Sequence, residues 1–266
     1  MGKIKQFYST KNIEKNPQAQ LYALPKRIQR EVHNSCERNA KMASDDKFIY
    51  LWVFVTEAGI ARTENQPADT QQLTLEQWLN VIDEAASLGV NWFVVGVKSG
   101  NFTQNPEIWE MCRWAQDTYG IIVGLQTNAP GLLQEELEEI KKLNPELTRV
   151  MVSDSAKDKA CELENLGFKL CVPNDNHHHE EDSLCTKPGN MVFVNAAGVI
   201  YTCGLVEGQD KYRLGTVLED EMRKVLKDPD LPHTVPNDTI PNKKHGCDGC
   251  PPLMIRYFEE AERRNK

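Results

Sequence analysis

From Phe48 to Pro173, short apolar runs alternate with longer amphipathic stretches, and this alternation constrains the fold more than any other feature of the chain. The runs are rich in β-branched and aromatic residues, which is typical of strands. The stretches between them repeat apolar residues at helical spacing. Such an alternation predicts βα units around a parallel sheet. The five predicted strands are FIYLWVFV, NWFVVGV, IIVGLQ, RVMVS and FKLCVP.

Local signals mark the ends of the four helices between these strands. Thr74 and Gln77 have the spacing of a capping box at the start of the first helix, and Gly89 follows its last turn. The other helices are predicted over Pro106–Tyr119, Leu132–Leu143 and Ser155–Leu166. Five strands and four helices cannot close an eight-stranded barrel, so we predict an α/β fold with an open, partial (β/α) barrel. Its functional site is expected at the carboxyl ends of the strands.

The alternation divides the chain into three predicted segments. Residues 1–45 are polar and form an N-terminal helical extension, and residues 46–175 form the partial barrel. In residues 176–266 a polar linker precedes the run MVFVNAAGVIYTCGLV, which predicts two short strands around a turn at Asn195–Gly198. We therefore predict a small C-terminal α+β domain.

Charge and cysteine content narrow the class of function. The net charge of -8 leaves no basic excess for phosphates, which argues against a nucleic-acid partner. No apolar run is long enough to cross a membrane, and the first residues lack the apolar core of a signal peptide, so we expect a cytoplasmic protein. Because cytosolic thiols are kept reduced, the eight cysteines indicate metal ligation or simple burial and not a disulfide framework.

Four cysteines in the last third have the spacing of metal ligands. Cys247 and Cys250 form a C-x-x-C pair, whose two sulfurs can face one metal from a tight turn. Cys203 ends the predicted hairpin, with Gly198 in its turn, and Cys185 precedes the hairpin. Taken alone, this spacing leaves three alternatives open: an iron–sulfur cluster, a structural zinc ion, or unrelated buried thiols.

The other four cysteines fit no ligand set. Two fall within predicted helices and one within a predicted strand, so we expect those three to pack in the core. These four residues are Cys36, Cys112, Cys161 and Cys171.

The pattern C-x12-G-x4-C followed by C-x2-C resembles the twitch, or half-SPASM, domain of the radical SAM superfamily, of the 2-deoxy-scyllo-inosamine dehydrogenase type. The match covers about residues 184–251 and includes Leu214–Gly215, which commonly follows the hairpin in that family. The resemblance implies that Cys185, Cys203, Cys247 and Cys250 hold one auxiliary [4Fe–4S] cluster.

The barrel also resembles the radical SAM core, through the stretches LTLEQWLNVIDEAASLGV and LQTNAPGLL. In this family the loop after the first strand carries C-x3-C-x2-C, whose three thiolates bind the catalytic cluster. Here that loop reads TEAGIARTENQ, with Ala58, Arg62 and Asn65 at the corresponding positions, and none of them is a thiolate. The resemblance is therefore to a degenerate member that lacks the cluster motif.

The family's second-strand motif, G-G-E-P, holds the amino group of S-adenosylmethionine. The matching stretch here reads GVKSGNF, which contains no carboxylate, and its Lys98 would repel an ammonium group. The chain thus lacks both the electron source and the co-substrate clamp. We expect no cleavage of S-adenosylmethionine and interpret the core as a pseudoenzyme barrel.

Polar side chains nevertheless follow the predicted strands and form a candidate pocket, although charges that merely pair in an abandoned cavity would give the same pattern. The candidate residues are Glu57, Arg62, Lys98, Gln126, Asn128 and Asp154. His177, His178 and His179, with the acidic residues that follow them, could coordinate a metal, but adjacent side chains point in different directions, so we favour a solvated linker. His245, two residues before Cys247, is a candidate hydrogen-bond donor to a cluster sulfur.

These features support one leading function and several alternatives. The leading hypothesis is a one-cluster protein that transfers electrons to a protein partner or serves as an accessory or recognition subunit. The alternatives are an enzyme that uses the barrel pocket for non-radical chemistry, a module that binds a radical enzyme or its substrate, and an atypical radical SAM enzyme with an unusual ligand set.

Overall fold

The structure of the chain, a computed structural model, describes residues 48–56, 72–97, 101–126, 132–152, 157–171, 184–185, 187–236, 239, 250–252, 254–255 and 258. Five parallel strands follow the chain order across one sheet, as the sequence predicts. They are β1 (Tyr50–Phe54), β2 (Trp92–Gly96), β3 (Ile122–Gln126), β4 (Thr148–Met151) and β5 (Lys169–Cys171).

Four helices connect these strands: α1 (Leu75–Ser87), α2 (Ile108–Tyr119), α3 (Gln134–Ile140) and α4 (Lys157–Asn165). The predicted capping box is confirmed, since Thr74 Oγ1 accepts the Gln77 N–H and Gln77 Oε1 accepts the Thr74 N–H. The predicted stop after α2 is also confirmed, because Gly120 adopts a left-handed conformation with φ 66° that favours glycine.

Helix α3 is shorter than the predicted span of Leu132–Leu143. The buried carboxylate of Glu136 accepts the N–H of Leu133 over 2.9 Å, so the first turn is capped from inside the helix. At the other end, a 3-10 turn over Pro145–Leu147 carries the chain into β4.

Three further strands extend the sheet beyond β1. Strand β7 (Met191–Val194) pairs with β1 in parallel, with Trp52 opposite Phe193. It turns through Gly198, at φ 79°, into β8 (Val199–Tyr201), which pairs with β9 (Arg213–Thr216). The predicted hairpin is therefore confirmed, and it belongs to the same eight-stranded sheet as the barrel strands, in the order β5-β4-β3-β2-β1-β7-β8-β9. The boundary near residue 175 stays a prediction.

Two smaller elements also lie in the described C-terminal part. Helix α5 (Met222–Lys227) follows β9, and β6 (Leu184–Cys185) pairs with β10 (Val235–Pro236) in a separate two-stranded ribbon. No helix within the described ranges is both long and apolar enough to cross a membrane.

The sheet has a helix-covered face and an opposite inner face. On β1, Leu51 and Val53 pack with buried residues of the helices, whereas Trp52 belongs to a second cluster on the other side. We call this second group the inner cluster. Its buried members are Trp52, Val94, Met151, Met191, Phe193, Tyr201, Cys203, Val206, Tyr212, Val235, Cys250, Met254 and Phe258.

Candidate metal centre

Cys203 starts a short 3-10 turn, Gly204–Val206, after strand β8. Its Sγ accepts a hydrogen bond from the Leu205 N–H over 3.4 Å, and the residue is 5% exposed. A backbone donor of this kind stabilises a negatively charged sulfur more than a neutral thiol. The turn therefore suits a thiolate ligand.

Cys250 immediately precedes a helical stretch. Its carbonyl accepts the Met254 N–H over 3.0 Å, which is the spacing of a first helical turn. Pro251 fits that turn because a first-turn residue needs no N–H. Cys250 is 4% exposed. Its side chain is therefore buried at the start of this helical turn.

Cys185 lies at the margin of the same cluster. In the ribbon of β6 and β10 it is paired with Val235, a fully buried member of the inner cluster. Cys185 itself is partly exposed. The ribbon therefore places Cys185, the third predicted ligand, at the edge of the inner cluster that contains Cys203 and Cys250.

The complete ligand set stays a prediction. Cys247, three residues before Cys250, lies outside the described residues, as does His245. Within the parts of the chain that the structure describes, no three His, Cys, Asp or Glu side chains are grouped closely enough to hold a metal ion. The structure thus brings Cys203 and Cys250 into one cluster and places Cys185 beside it, without assembling a metal site from the described residues.

Aromatic rings form the floor of the inner cluster. Trp52, Phe54 and Phe193 pack edge to face with ring centroids 5.2 to 5.3 Å apart. Gly204, the residue after Cys203, lies directly on this floor: a Cβ built there would be 2.7 Å from Phe193 Cε2 and 2.8 Å from Trp52 Cη2 and Cζ3. The close approach explains why a glycine follows the cysteine at this point.

Trp52, one of these rings, is fully buried, and among the described residues its indole Nε1–H has no hydrogen-bond acceptor. Buried donors almost always find acceptors, because an unpaired one costs about 1–3 kcal/mol. Separately, two cysteine sulfurs in one buried cluster are the ligand type that an iron–sulfur cluster takes.

Of the six predicted pocket residues, the structure describes only Gln126, at the carboxyl end of β3. Gln126 is opposite Gly96, which is opposite Phe54, and the Phe54 ring and Gln126 Oε1 both pack closely over Gly96. Gln126 Oε1 is buried and, within the described ranges, has no hydrogen-bond partner, as is also true of Thr56 Oγ1. The other five, Glu57, Arg62, Lys98, Asn128 and Asp154, lie outside the described residues, as do His177–His179.

On the inner face of the sheet, Met254 packs against strand β3. A Cβ at Gly124, on β3, would be 2.9 Å from Met254 Cε and 3.1 Å from its Sδ. Met254 is 1% exposed. Met254 therefore packs directly against the barrel sheet. The predicted strands carry no local signal of this contact, because it joins segments far apart in sequence.

Of the four remaining cysteines, the structure describes the side chains of Cys112 and Cys161. Cys112 is fully buried in α2, as predicted, and burial raises the pKa of its thiol to about 12, so it is inert at neutral pH. The prediction that Cys161 packs in the core is wrong, because it is exposed. Helix α4 is largely polar and buries Leu163, which leaves Cys161 on a different side of the helix. The side chain of Cys171 and all of Cys36 lie outside the description.

Comparison with known proteins gives matches among solved structures, which compare the fold of the chain. No protein-family model matches the sequence, and no curated protein matches it. Among solved structures, BtrN in complex with AdoMet and 2-DOIA has a TM-score of 0.54 at 12% identity, over 70% of this chain and 84% of that chain. BtrN in an open conformation has a TM-score of 0.49 at 15% identity, over 70% and 82% of the two chains.

A third similar structure is Streptococcus suis SuiB bound to S-adenosylmethionine, with a TM-score of 0.46 at 10% identity, over 77% of this chain and 69% of that chain. At such identities only the fold is comparable, and the first BtrN structure carries that comparison. The chain therefore shares the fold of BtrN, which agrees with the radical-SAM-like fold that the sequence predicts.

Proposed function

We propose that this chain is an iron–sulfur protein in which Cys185, Cys203, Cys247 and Cys250 hold one [4Fe–4S] cluster on a scaffold that has lost S-adenosylmethionine cleavage. When bound, the cluster supplies a one-electron redox couple. The protein then serves in electron transfer to a protein partner, or as an accessory or recognition subunit of an enzyme.

The arrangement of the described cysteines is the observation that carries this proposal. Cys203 and Cys250 are far apart in sequence yet belong to one buried cluster, and Cys185 is paired with a member of it. Two cysteines that come from distant segments into one buried cluster are the arrangement that a shared metal site requires.

The size of the group bears on the choice between iron and zinc. Four thiolates around one zinc ion lie within about 2.3 Å of the metal and so crowd together. An iron–sulfur cube is larger, and its ligands are correspondingly farther apart. The absence of a compact three-ligand group within the described ranges therefore weighs more heavily against a single ion than against a cluster.

Loss of S-adenosylmethionine chemistry is supported by the sequence and by the packing of the inner face. Ala58, Arg62 and Asn65 replace the three thiolates that the family uses, and GVKSGNF replaces its carboxylate motif. On the inner face, Met254 packs against Gly124 of β3, where a built Cβ would be 2.9 Å from Met254 Cε. A side chain of this protein thus occupies part of the inner face of the sheet.

Anaerobic reconstitution of the full chain with iron and sulfide tests the proposal. We expect about four irons per chain and a visible absorption band that bleaches on reduction with the appearance of an electron paramagnetic resonance signal. Cys203→Ala and Cys250→Ala should each lose most of this iron, whereas Cys112→Ala, which removes a buried thiol elsewhere in the core, should retain it. One zinc per chain without iron would overturn the proposal.

A second measurement tests the lost activity. The reconstituted protein is incubated with S-adenosylmethionine and dithionite, and 5′-deoxyadenosine is quantified by chromatography. We expect none above a control without protein. About eight irons per chain together with 5′-deoxyadenosine would show an active enzyme with two clusters and would contradict the pseudoenzyme assignment.

The proposed protein partner is tested by anaerobic affinity purification from the source cells, comparing wild type with Cys203→Ala. A partner of the loaded protein should be retained by the wild type and lost with the cluster. Retention by neither form would count against an accessory-subunit role.

A further inference from the structure

Thr202, the residue before Cys203, is a buried side chain that bonds to a later segment of the chain. Its hydroxyl donates to the Pro232 carbonyl over 2.6 Å, and its N–H donates to the Tyr212 carbonyl over 3.0 Å. Thr202 is 3% exposed, and a buried bond of this kind is costly to lose because a polar group without a partner remains. The backbone next to Cys203 is therefore tied to the chain at Pro232.

Pro232 lies just before the strand that pairs with Cys185. In the ribbon of β10 and β6, Val235 is opposite Cys185 and Pro236 is opposite Leu184. Opposite residues in an antiparallel ribbon alternate between pairs that exchange backbone hydrogen bonds and pairs that do not. Because proline has no N–H, the bonded pair is Val235 with Cys185. Val235 is also fully buried in the inner cluster, so this strand holds Cys185 in place.

A second hydrogen bond fixes the same segment from another side. His233 Nε2 lies 2.6 Å from the Asp228 carbonyl, and since a carbonyl only accepts, the ring nitrogen donates. Asp228 directly follows the last residue of α5. The chain is therefore anchored at two successive residues, Pro232 and His233, before it reaches β10.

We infer that Thr202 is a positioning residue that holds Cys185 in a fixed relation to Cys203 before any metal binds. The connection runs from the Cys203 turn through the Thr202 hydroxyl to Pro232. From there β10 carries it to Cys185. Its importance for metal binding rests on the proposed function. Two ligands that are already held together lose less conformational entropy when a metal arrives.

Thr202→Val tests this role in the metal-free protein, because it keeps the shape of the side chain and removes the hydroxyl. Thr202→Ser keeps the hydroxyl and serves as the rescue variant. The matched control is Thr216→Val on β9, whose hydroxyl donates to the Gly198 carbonyl over 3.2 Å at the hairpin turn. Residue-resolved amide hydrogen exchange under native, reducing conditions measures local opening at Cys185 and Val235.

We expect Thr202→Val to raise the exchange rates at Cys185 and Val235 roughly five- to hundredfold, because the unpaired Pro232 carbonyl favours opening of the ribbon. Thr202→Ser should exchange like the wild type at both amides. Thr216→Val should leave both rates unchanged. Unchanged rates in Thr202→Val would overturn the inference, and so would an equal increase in both valine variants, since that increase reports general destabilisation.

Iron release separates this inference from the proposed function. The same variants are reconstituted anaerobically, and the loss of iron to a chelator is followed. Thr202→Val should release iron faster than the wild type and Thr216→Val, because the ribbon that carries Cys185 opens more often. If no form takes up iron, the proposed function fails, and the exchange rates still decide whether Thr202 joins the two cysteine segments. If all loaded forms release iron at one rate, the iron–sulfur site stands but Thr202 does not position its ligands, which overturns the inference.

Discussion

Gly204 and Trp52 are in such close contact that no side chain fits between them: a Cβ at Gly204 would lie 2.8 Å from Trp52 Cη2. The contact joins the residue after Cys203 to the first barrel strand, across about 150 residues of sequence. The turn that carries Cys203 is therefore positioned by the barrel sheet itself. A change in this contact should affect both the stability of the sheet and the geometry of the cysteine.

Gly204→Ala is expected to destabilise the protein by about 1–3 kcal/mol, because the new methyl group meets two rigid aromatic rings that cannot rotate away. Since the turn must move to relieve the overlap, iron uptake in reconstitution should also fall. The measurements are urea unfolding and iron content per chain.

Gly189→Ala is the matched control for this substitution. A Cβ at Gly189 has no neighbour within 4 Å, and its φ lies outside the left-handed region. This variant should match the wild type in both measurements. Equal behaviour of the two alanine variants would show that Gly204 is not tightly packed on the rings.

Met254 and Gly124 should be energetically coupled. Met254→Ala removes a buried side chain and is expected to cost about 2–5 kcal/mol, and Gly124→Ala inserts a methyl 2.9 Å from Met254 Cε. Once Met254 is truncated, that methyl has room, so the double variant should be more stable than the sum of the single effects by about 0.5–3 kcal/mol. A double-mutant cycle by urea unfolding, in metal-free protein, measures this coupling. Strict additivity would place Met254 away from β3.

Local signals in the sequence predict the helix ends well. The capping box at Thr74, the glycine stop at Gly120 and the hairpin turn at Gly198 each depend on residues that are neighbours along the chain, and the structure confirms all three. The barrel strands are predicted for the same reason, because their apolar runs are continuous. Cys161 was mispredicted because helical placement alone does not tell which side of the helix faces the sheet.

Long-range packing is what the sequence does not reveal. The pairing of β7 with β1 and the contact of Met254 with Gly124 depend on segments over 120 residues apart in sequence. The run FIYLWVFV is apolar at every position, so its pattern cannot tell that Trp52 faces the inner cluster. The C-x-x-C spacing indicates a metal site, but it does not predict the aromatic rings that pack next to the Cys203 turn.

Glu136 is predicted to anchor the chain ahead of α2 to helix α3. Its buried carboxylate accepts the Phe102 N–H over 2.7 Å and the Leu133 N–H over 2.9 Å. Glu136→Gln keeps one acceptor and turns an NH2 group toward the other donor, so we expect a loss of about 1–3 kcal/mol and faster amide hydrogen exchange at Phe102. Glu135→Gln, at an exposed neighbouring position, is the control. Unchanged exchange at Phe102 would contradict the anchoring role.

Tyr119 should make the protein sensitive to alkaline pH. Burial, reinforced by the hydrogen bond from its hydroxyl to Asp83 Oδ1 at 2.8 Å, raises the pKa of Tyr119 above its ordinary value. The unfolded chain therefore releases this proton first, from about pH 10, and stability falls as pH rises beyond that point. The loss is at most about 1.4 kcal/mol per pH unit and is reduced because solvent screens this half-exposed group.

Tyr119→Phe removes this titration together with the hydrogen bond. Below about pH 9 the variant should be about 1 kcal/mol less stable than the wild type. Above about pH 10 the difference should shrink, because only the wild type has a tyrosine here that must stay protonated in the fold. Urea unfolding of both proteins under reducing conditions at several pH values measures the difference, in which contributions from the other tyrosines and the thiols cancel. A gap that stays constant from neutral pH to pH values near 11 would mean that the Asp83–Tyr119 pair does not control alkaline stability.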